Sequence, residues 1–355
     1  MPRLPAVLLL LSALFLTPDA WAQTATPEAG EGIWGLLRRS GITPNAARVE
    51  AFKALNAERL KGSDQLVAGV AYQLPGAAGS APTTSSTETV AQAPKPAPQA
   101  RRYPIFGPDH EMVVRKSSRL AGHVYYVVAG HGGPDPGSVG RLNGRSMPED
   151  EIAYDTSLRL ARRLVEEGGK VYVIVRDSND GIRDSEYLPP DRDEFFYGNV
   201  RMSSNYVTRL RQRRDVINRL YDKNRATAKS QQVISVHVDA MAGRHQPQID
   251  VHFAYSSDSG RSLGRVLQTE MRAQYAAHQP GRGYNGKLIR RDGLMILNKT
   301  KPTAVLVELG NIRHTGDQIR LIKPGNRQAL AEWITEGLLR QAASTPSRGR
   351  SRAAQ

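Results

Sequence analysis

The chain has 355 residues, a formal net charge of +15 and no cysteine. That length accommodates one large domain and a smaller module, while the missing thiols exclude disulfides, thiolate nucleophiles and Cys-held zinc, leaving His, Asp and Glu as side-chain metal ligands. The charge favours an anionic partner such as a cell-wall polymer, and no zinc-finger spacing or RNA-binding aromatic motif supports a nucleic-acid partner.

The first 22 residues run from a basic Arg3 through the apolar Ala6-Val7-Leu8-Leu9-Leu10-Leu11 to Ala20-Trp21-Ala22. A positive start, a short apolar stretch and an A-x-A ending predict a secretory signal peptide cleaved before Gln23. The run is short for a membrane span. The expected location is therefore the periplasm or cell envelope, with no transmembrane segment after cleavage.

From residue 31 to 75 the pattern is helix, helix, strand. Ile33, Trp34, Leu36 and Leu37 form one apolar patch closed by Ser40-Gly41; Val49, Phe52 and Leu55 form a second that ends at Asn56; Val70 to Pro75 is strand-like. In Ile33-Trp34-Gly35-Leu36-Leu37, Gly41-Ile42, Leu55-Asn56, Gly69 and Leu74-Pro75 this segment resembles a LysM module, which implies binding of N-acetylglucosamine-containing glycans. An opening strand is not expected, because Thr24 to Gly30 lacks apolar alternation. Residues 76–105 are read as a linker, because Ala, Pro, Ser, Thr and Gly dominate a stretch with too little apolar surface to offset its conformational entropy.

Beyond the linker, strand-like runs at Val124–Val128, Val171–Val175, Val233–Val238, Ile249–Tyr255, Leu294–Leu297 and Val305–Leu309 alternate with helical patterns. Ile152, Thr156, Leu160 and Leu164 share one helix face, and a last helix surrounds Leu330, Ile334 and Leu338. Alternation of this kind predicts an α/β domain over 106–345, with a mainly parallel twisted sheet flanked by helices. The small module before it is α+β. A Ser/Arg-rich tail, 346–355, is expected to be disordered.

Three of the runs carry a chemically active side chain just past or at their end: His131 in Ala129-Gly130-His131-Gly132-Gly133, His237 in Val236-His237, and Glu308 in Val307-Glu308. Ligands of open α/β sheets gather beyond the carboxyl ends of the strands. With an acid from Glu149-Asp150-Glu151 these groups supply two His and one Glu, a ligand set of catalytic zinc, and leave one carboxylate for proton transfer. Glu149 and Glu151 both qualify. An acidic helix start is also favoured by the helix dipole alone, and either histidine alone is an ordinary strand-end residue. His252, on a strand-like run, is a reserve ligand; His123, His245, His278 and His314 have no comparable context.

The segment Gly130-His131-Gly132-Gly133-Pro134-Asp135-Pro136-Gly137 closely resembles the G-H-G-G-x-D-P-G motif of zinc-dependent N-acetylmuramoyl-L-alanine amidases. Further blocks follow in the family's order: Glu149-Asp150-Glu151-Ile152; Leu210, Arg213 and Asn218; Ser235-Val236-His237-Val238-Asp239; and Val305-Leu306-Val307-Glu308-Leu309-Gly310. The resemblance implies that His131, Glu149 and His237 bind Zn2+ and that Glu308 is the catalytic base. The implied reaction is cleavage of the amide joining N-acetylmuramic acid to L-alanine in peptidoglycan; a protein activator is a candidate further partner, and the sequence does not say whether activity needs one. Val128 stands where the family often has Asp, Asp239 replaces the usual Asn, and Ser178 to Tyr206 is a long connection suited to a lid or partner surface. Arg290 and Arg291 are candidates for meeting stem-peptide carboxylates. A zinc peptidase acting on the stem peptide and a non-catalytic peptidoglycan binder are the alternatives.

Overall fold

A computed structural model describes residues 23–28, 31–42, 46–60, 66–75, 100–241 and 247–344. The signal-peptide reading (1–22), residues 76–99 of the linker, His245 and the basic tail lie outside the described residues. No helix among the described residues is long and apolar enough to cross a membrane. The chain divides into two compact units, residues 1–90 and 91–355.

In the small unit, β1 (Thr24–Ala25) is followed by α1 (Ile33–Arg39), α2 (Ala46–Leu55), α3 (Ala57–Leu60) and β2 (Tyr72–Gln73). Strands β1 and β2 pair antiparallel. This corrects the expectation that the opening strand is missing: a two-residue strand is too short to show alternation, and its partner sets it. Leu36, Leu37 and Phe52 are fully buried. Asn56 ties helix to strand, donating to Phe52 O and Gln73 O and accepting from Gln73 N. Gly41, at φ 74°, takes the left-handed conformation that ends α1.

The large unit is described from Ala100, six residues before the start expected for it. Here β3 (Ala100–Arg102) pairs with β4 (Met112–Val114), and Phe106 between them is buried. There follow β5 (His123–Ala129), β6 (Val139–Leu142), β7 (Arg145–Pro148), α4 (Glu149–Glu166), β8 (Lys170–Val173), β9 (Val175–Arg176), β10 (Phe195–Phe196) and β11 (Val200–Arg201). Then come α5 (Tyr206–Asn224), β12 (Ser230–Asp239), β13 (His252–Tyr255), α6 (Asp258–His278), β14 (Leu288–Arg290), α7 (Met295–Asn298), β15 (Thr303–Asn311), α8 (Thr315–Ile322) and α9 (Pro324–Ser344).

Six strands form the main sheet in the order β14-β13-β15-β12-β5-β8. Its pairings are parallel apart from β13 with β15, so the sheet is mainly parallel as expected. Every residue of β5 is buried, which a central parallel strand covered on both faces demands of its sequence. Helices α4, α9 and α6 pack in series, and the apolar positions Leu160, Leu164, Leu330, Ile334 and Leu338 are all buried.

Two strand readings need correction. Leu294–Leu297 is not a strand: Leu294 caps the short helix α7, and the sheet edge is built instead by Leu288–Arg290. A four-residue apolar run carries no usable periodicity. The run Ile249–Tyr255 is extended only from His252, because Asp250 has φ 49° and interrupts it.

Candidate metal centre and active site

The register of the sheet brings the candidate residues together. His237 on β12 lies directly opposite Glu308 on β15, and β5 delivers the Gly-rich loop from the other side of β12. His131 sits in that loop at φ 61°, a strained value for a non-glycine residue. Its carbonyl accepts from Arg213 at 2.6 Å, and Gly132 bonds back to Asp135, so the turn is held from both sides. The loop needs its glycines. A Cβ on Gly130 would stand 2.4 Å from His237 Nδ1, and one on Gly137 would stand 2.7 Å from Glu149 Oε2.

Of the two acids left open in the sequence, Glu149, the first residue of α4, is the one beside both histidines. Its Oε1 lies 3.2 Å from His131 Nε2 and 3.0 Å from His237 Nδ1. Glu151 faces away, pairing with Arg183 at 2.8 Å and accepting from Asp191 N. His131, Glu149 and His237 thus offer three donor atoms within 4.8 Å of one another. His252 is not in this group; its Nδ1 accepts from Lys287 N. His123 bonds Ser230, His278 bonds the Gln274 carbonyl, and His314 caps α8.

The donor set fits zinc. Two imidazole nitrogens and one carboxylate oxygen suit a borderline cation, and ligands about 2.0–2.1 Å from a tetrahedral ion lie roughly 3.3 Å apart. Beside them Glu308 Oε2 is shielded from solvent and makes no hydrogen bond. Burial, with Glu149 and Asp239 nearby, raises the Glu308 pKa well above the ordinary carboxylate value. Burial opposes the ionised form of Glu149 too, but its bonds to His131 and His237 outweigh this and hold it low. Burial likewise lowers the affinity of His131 for a proton, yet the neighbouring Asp135 and Glu149 carboxylates prevail and bring its pKa to about 9. For His237, burial wins and the pKa falls.

The family model described as N-acetylmuramoyl-L-alanine amidase matches residues 126–340. The chain belongs to the N-acetylmuramoyl-L-alanine amidase family. It is similar to the germination-specific N-acetylmuramoyl-L-alanine amidase of Bacillus subtilis, 26% identical over 62% of this chain and 80% of that protein. It is also similar to the probable cell wall amidase LytH of Staphylococcus aureus, 23% identical over 63% of this chain and 60% of the relative. Among solved structures, the N-acetylmuramoyl-L-alanine amidase AmiC2 of Nostoc punctiforme aligns with TM-score 0.44 and 20% identity, over 64% of this chain and 99% of that one.

The amidase motifs now acquire physical roles. Arg213 holds the His131 carbonyl, and Asn218 fixes the chain before β15 through Lys299 O and Lys301 N. Val128 leaves no carboxylate at its own position, but Asp135 stands 3.1 Å from His131 Nδ1 and is itself held by Arg209 at 2.7 Å. Sequence reasoning quoted Asp135 within the motif without assigning it this orienting place, which only the tightness of the loop reveals. Arg290 is occupied by Asp292 on the surface, whereas Arg291 is near enough to draw the Glu308 pKa down.

The long connection is folded against the Gly-rich loop. Strands β9, β10 and β11 form a small antiparallel sheet, and Glu194 accepts from Gly133 N at 2.7 Å. Between them opens a cavity of about 1020 Å³ lined by Gly133, Pro134, Glu194, Phe195 and Met202 among others. A smaller cavity of about 390 Å³, lined by Ser230, Gln231 and Thr303, is at the other ends of β12 and β15, away from this chemistry. Burial, with Glu151 and Glu194 alongside, pushes Asp150 up to about 8, and burial pushes Glu194 up to about 7.

Proposed function

We propose that the large unit hydrolyses the amide between the lactyl group of N-acetylmuramic acid and L-alanine of the peptidoglycan stem, with zinc held by His131, Glu149 and His237. The observation carrying this reading is the convergence of those three donors beside the unpaired Glu308 Oε2 in a chain of the amidase family. Zinc in such a site polarises a carbonyl and acidifies bound water. Glu149 Oε1 stands beside both imidazoles, where the three donors would share one ion, and Asp135 stands against the other nitrogen of His131. Glu308 takes a proton from the attacking water and passes it to the amide nitrogen as the C–N bond breaks. The products are a free lactyl carboxyl and a free L-alanine amine.

This reading predicts one zinc per chain after mild purification. Glu149→Gln should lose zinc and amidase activity together, whereas His252→Gln should retain zinc, because His252 lies outside the donor group. Full zinc in Glu149→Gln would remove it from the ligand set.

The small unit serves, on this reading, as a LysM-like glycan anchor, supported by its two paired strands with three short helices between them and by its own apolar core. Export to the cell envelope fits the substrate and the first 22 residues. A protein activator would find its surface on the connection from Ser178 to Tyr206. Deleting residues 23–75 should lower retention on purified sacculi, since a tethered binder raises local concentration, and leave turnover of soluble muropeptides unchanged. Equal retention would end the anchoring role.

A further inference from the structure

The connection that follows β9 brings more acid to the start of α4 than the amide chemistry uses. Asp150, Glu151 and Glu194 each offer a carboxylate oxygen within 4.8 Å of the others, and Asp177, Asp191 and Glu194 form a second such trio. The first three residues are only 2%, 2% and 7% exposed. Among the described residues, the cation paired with any of these five is Arg183, on Glu151. Asp150 shows the deficit most clearly. Its Oδ1 accepts from Glu151 N, while its Oδ2 is shut off from solvent and has no hydrogen-bond partner. Asp191 Oδ1 is shielded and unpartnered as well.

An interior carboxylate without a partner is costly, and an orphaned oxygen in a buried polar cluster calls for a ligand. Every donor here is a carboxyl oxygen, anionic once a cation displaces its proton. That chemistry selects hard divalent cations, and the abundance of side-chain carboxylates suits calcium better than the strongly hydrated magnesium. We propose that Asp150, Glu151 and Glu194 bind one calcium-class cation, separate from the His131–Glu149–His237 centre. The site joins three pieces of chain. Asp150 and Glu151 open α4, Glu194 belongs to the connection, and its other bond reaches Gly133 in the Gly-rich loop. The cation would therefore clamp the connection onto the wall of the active site. This inference stands whether or not the chain cleaves peptidoglycan.

The test uses the full chain, stripped of metals, reloaded with one equivalent of zinc and titrated with calcium chloride in a calorimeter. One site is expected, with Kd at or below about 1 mM. The melting midpoint of the large unit should rise by about 3 °C at tenfold excess over Kd. Asp150→Asn and Glu194→Gln should each weaken calcium binding at least about tenfold, the loss of one charged ligand. Absence of both heat and midpoint shift up to about 10 mM calcium, beyond the range of extracellular calcium modules, would overturn the proposal. So would unchanged calcium affinity in both variants.

Discussion

Glu308→Gln is expected to lower kcat on soluble muropeptides by about a hundredfold or more, the usual contribution of a positioned general base, with the fold and the zinc content unchanged. The amide of Gln fills the same space on β15 but cannot accept the proton. The wild-type carboxylate is suited to the task because its environment raises its pKa: burial first, then the charge of Glu149 and Asp239. A carboxylate raised in this way takes a proton from water more readily than an ordinary one. Activity assays paired with metal analysis separate the outcomes. Loss of zinc in the variant would make Glu308 a ligand, and wild-type turnover would remove it from the reaction.

Asp155→Ala should destabilise the large unit by about 3–5 kcal/mol, the cost of breaking a buried ion pair. Asp155 and Arg327 are fully buried and Arg159 nearly so. The Asp155 carboxylate accepts from Arg159 Nε at 2.8 Å, Arg327 Nε at 2.6 Å and Arg183 N at 2.8 Å. Arg159 keeps a second partner in Asp184, but Arg327 would be left with backbone carbonyls alone. Since Asp155 lies on α4 and Arg327 on α9, the pair joins the two helices whose packing covers the sheet. For a unit of this size the melting midpoint should fall by about 10 °C. A drop of less than about 1 kcal/mol, the range of exposed pairs, would show that the charges are solvated after all.

Much of the sheet was legible because its central strands are mostly buried, so that Val124–Val128, Val233–Val238 and Val305–Leu309 had to be largely apolar. The same burial marked His131, His237 and Glu308, each a polar residue where such a run stops. Register was not legible: nothing local in Val305-Leu306-Val307-Glu308 says that it lies opposite His237. Nor could pattern decide between Glu149 and Glu151, which differ only in the direction each leaves the first turn of α4. Short elements failed for a related reason. β1 and α7 depend on their partners more than on their own residues, and the left-handed Asp250 broke a strand that composition alone would extend. The carboxylates around Glu194 were invisible because they come from distant points in the chain and share no spacing.

The amide bond chosen for cleavage is the centre of this account, and mass spectrometry of purified sacculi digested by the zinc-loaded chain tests it most directly. Released stem peptides should begin with L-alanine bearing a free amine, and the glycan should keep muramic acid with a free lactyl carboxyl, neither appearing with Glu308→Gln. Muramic acid still carrying L-alanine, alongside stem peptides shortened at a bond between amino acids, would contradict the account and make the chain a peptidase.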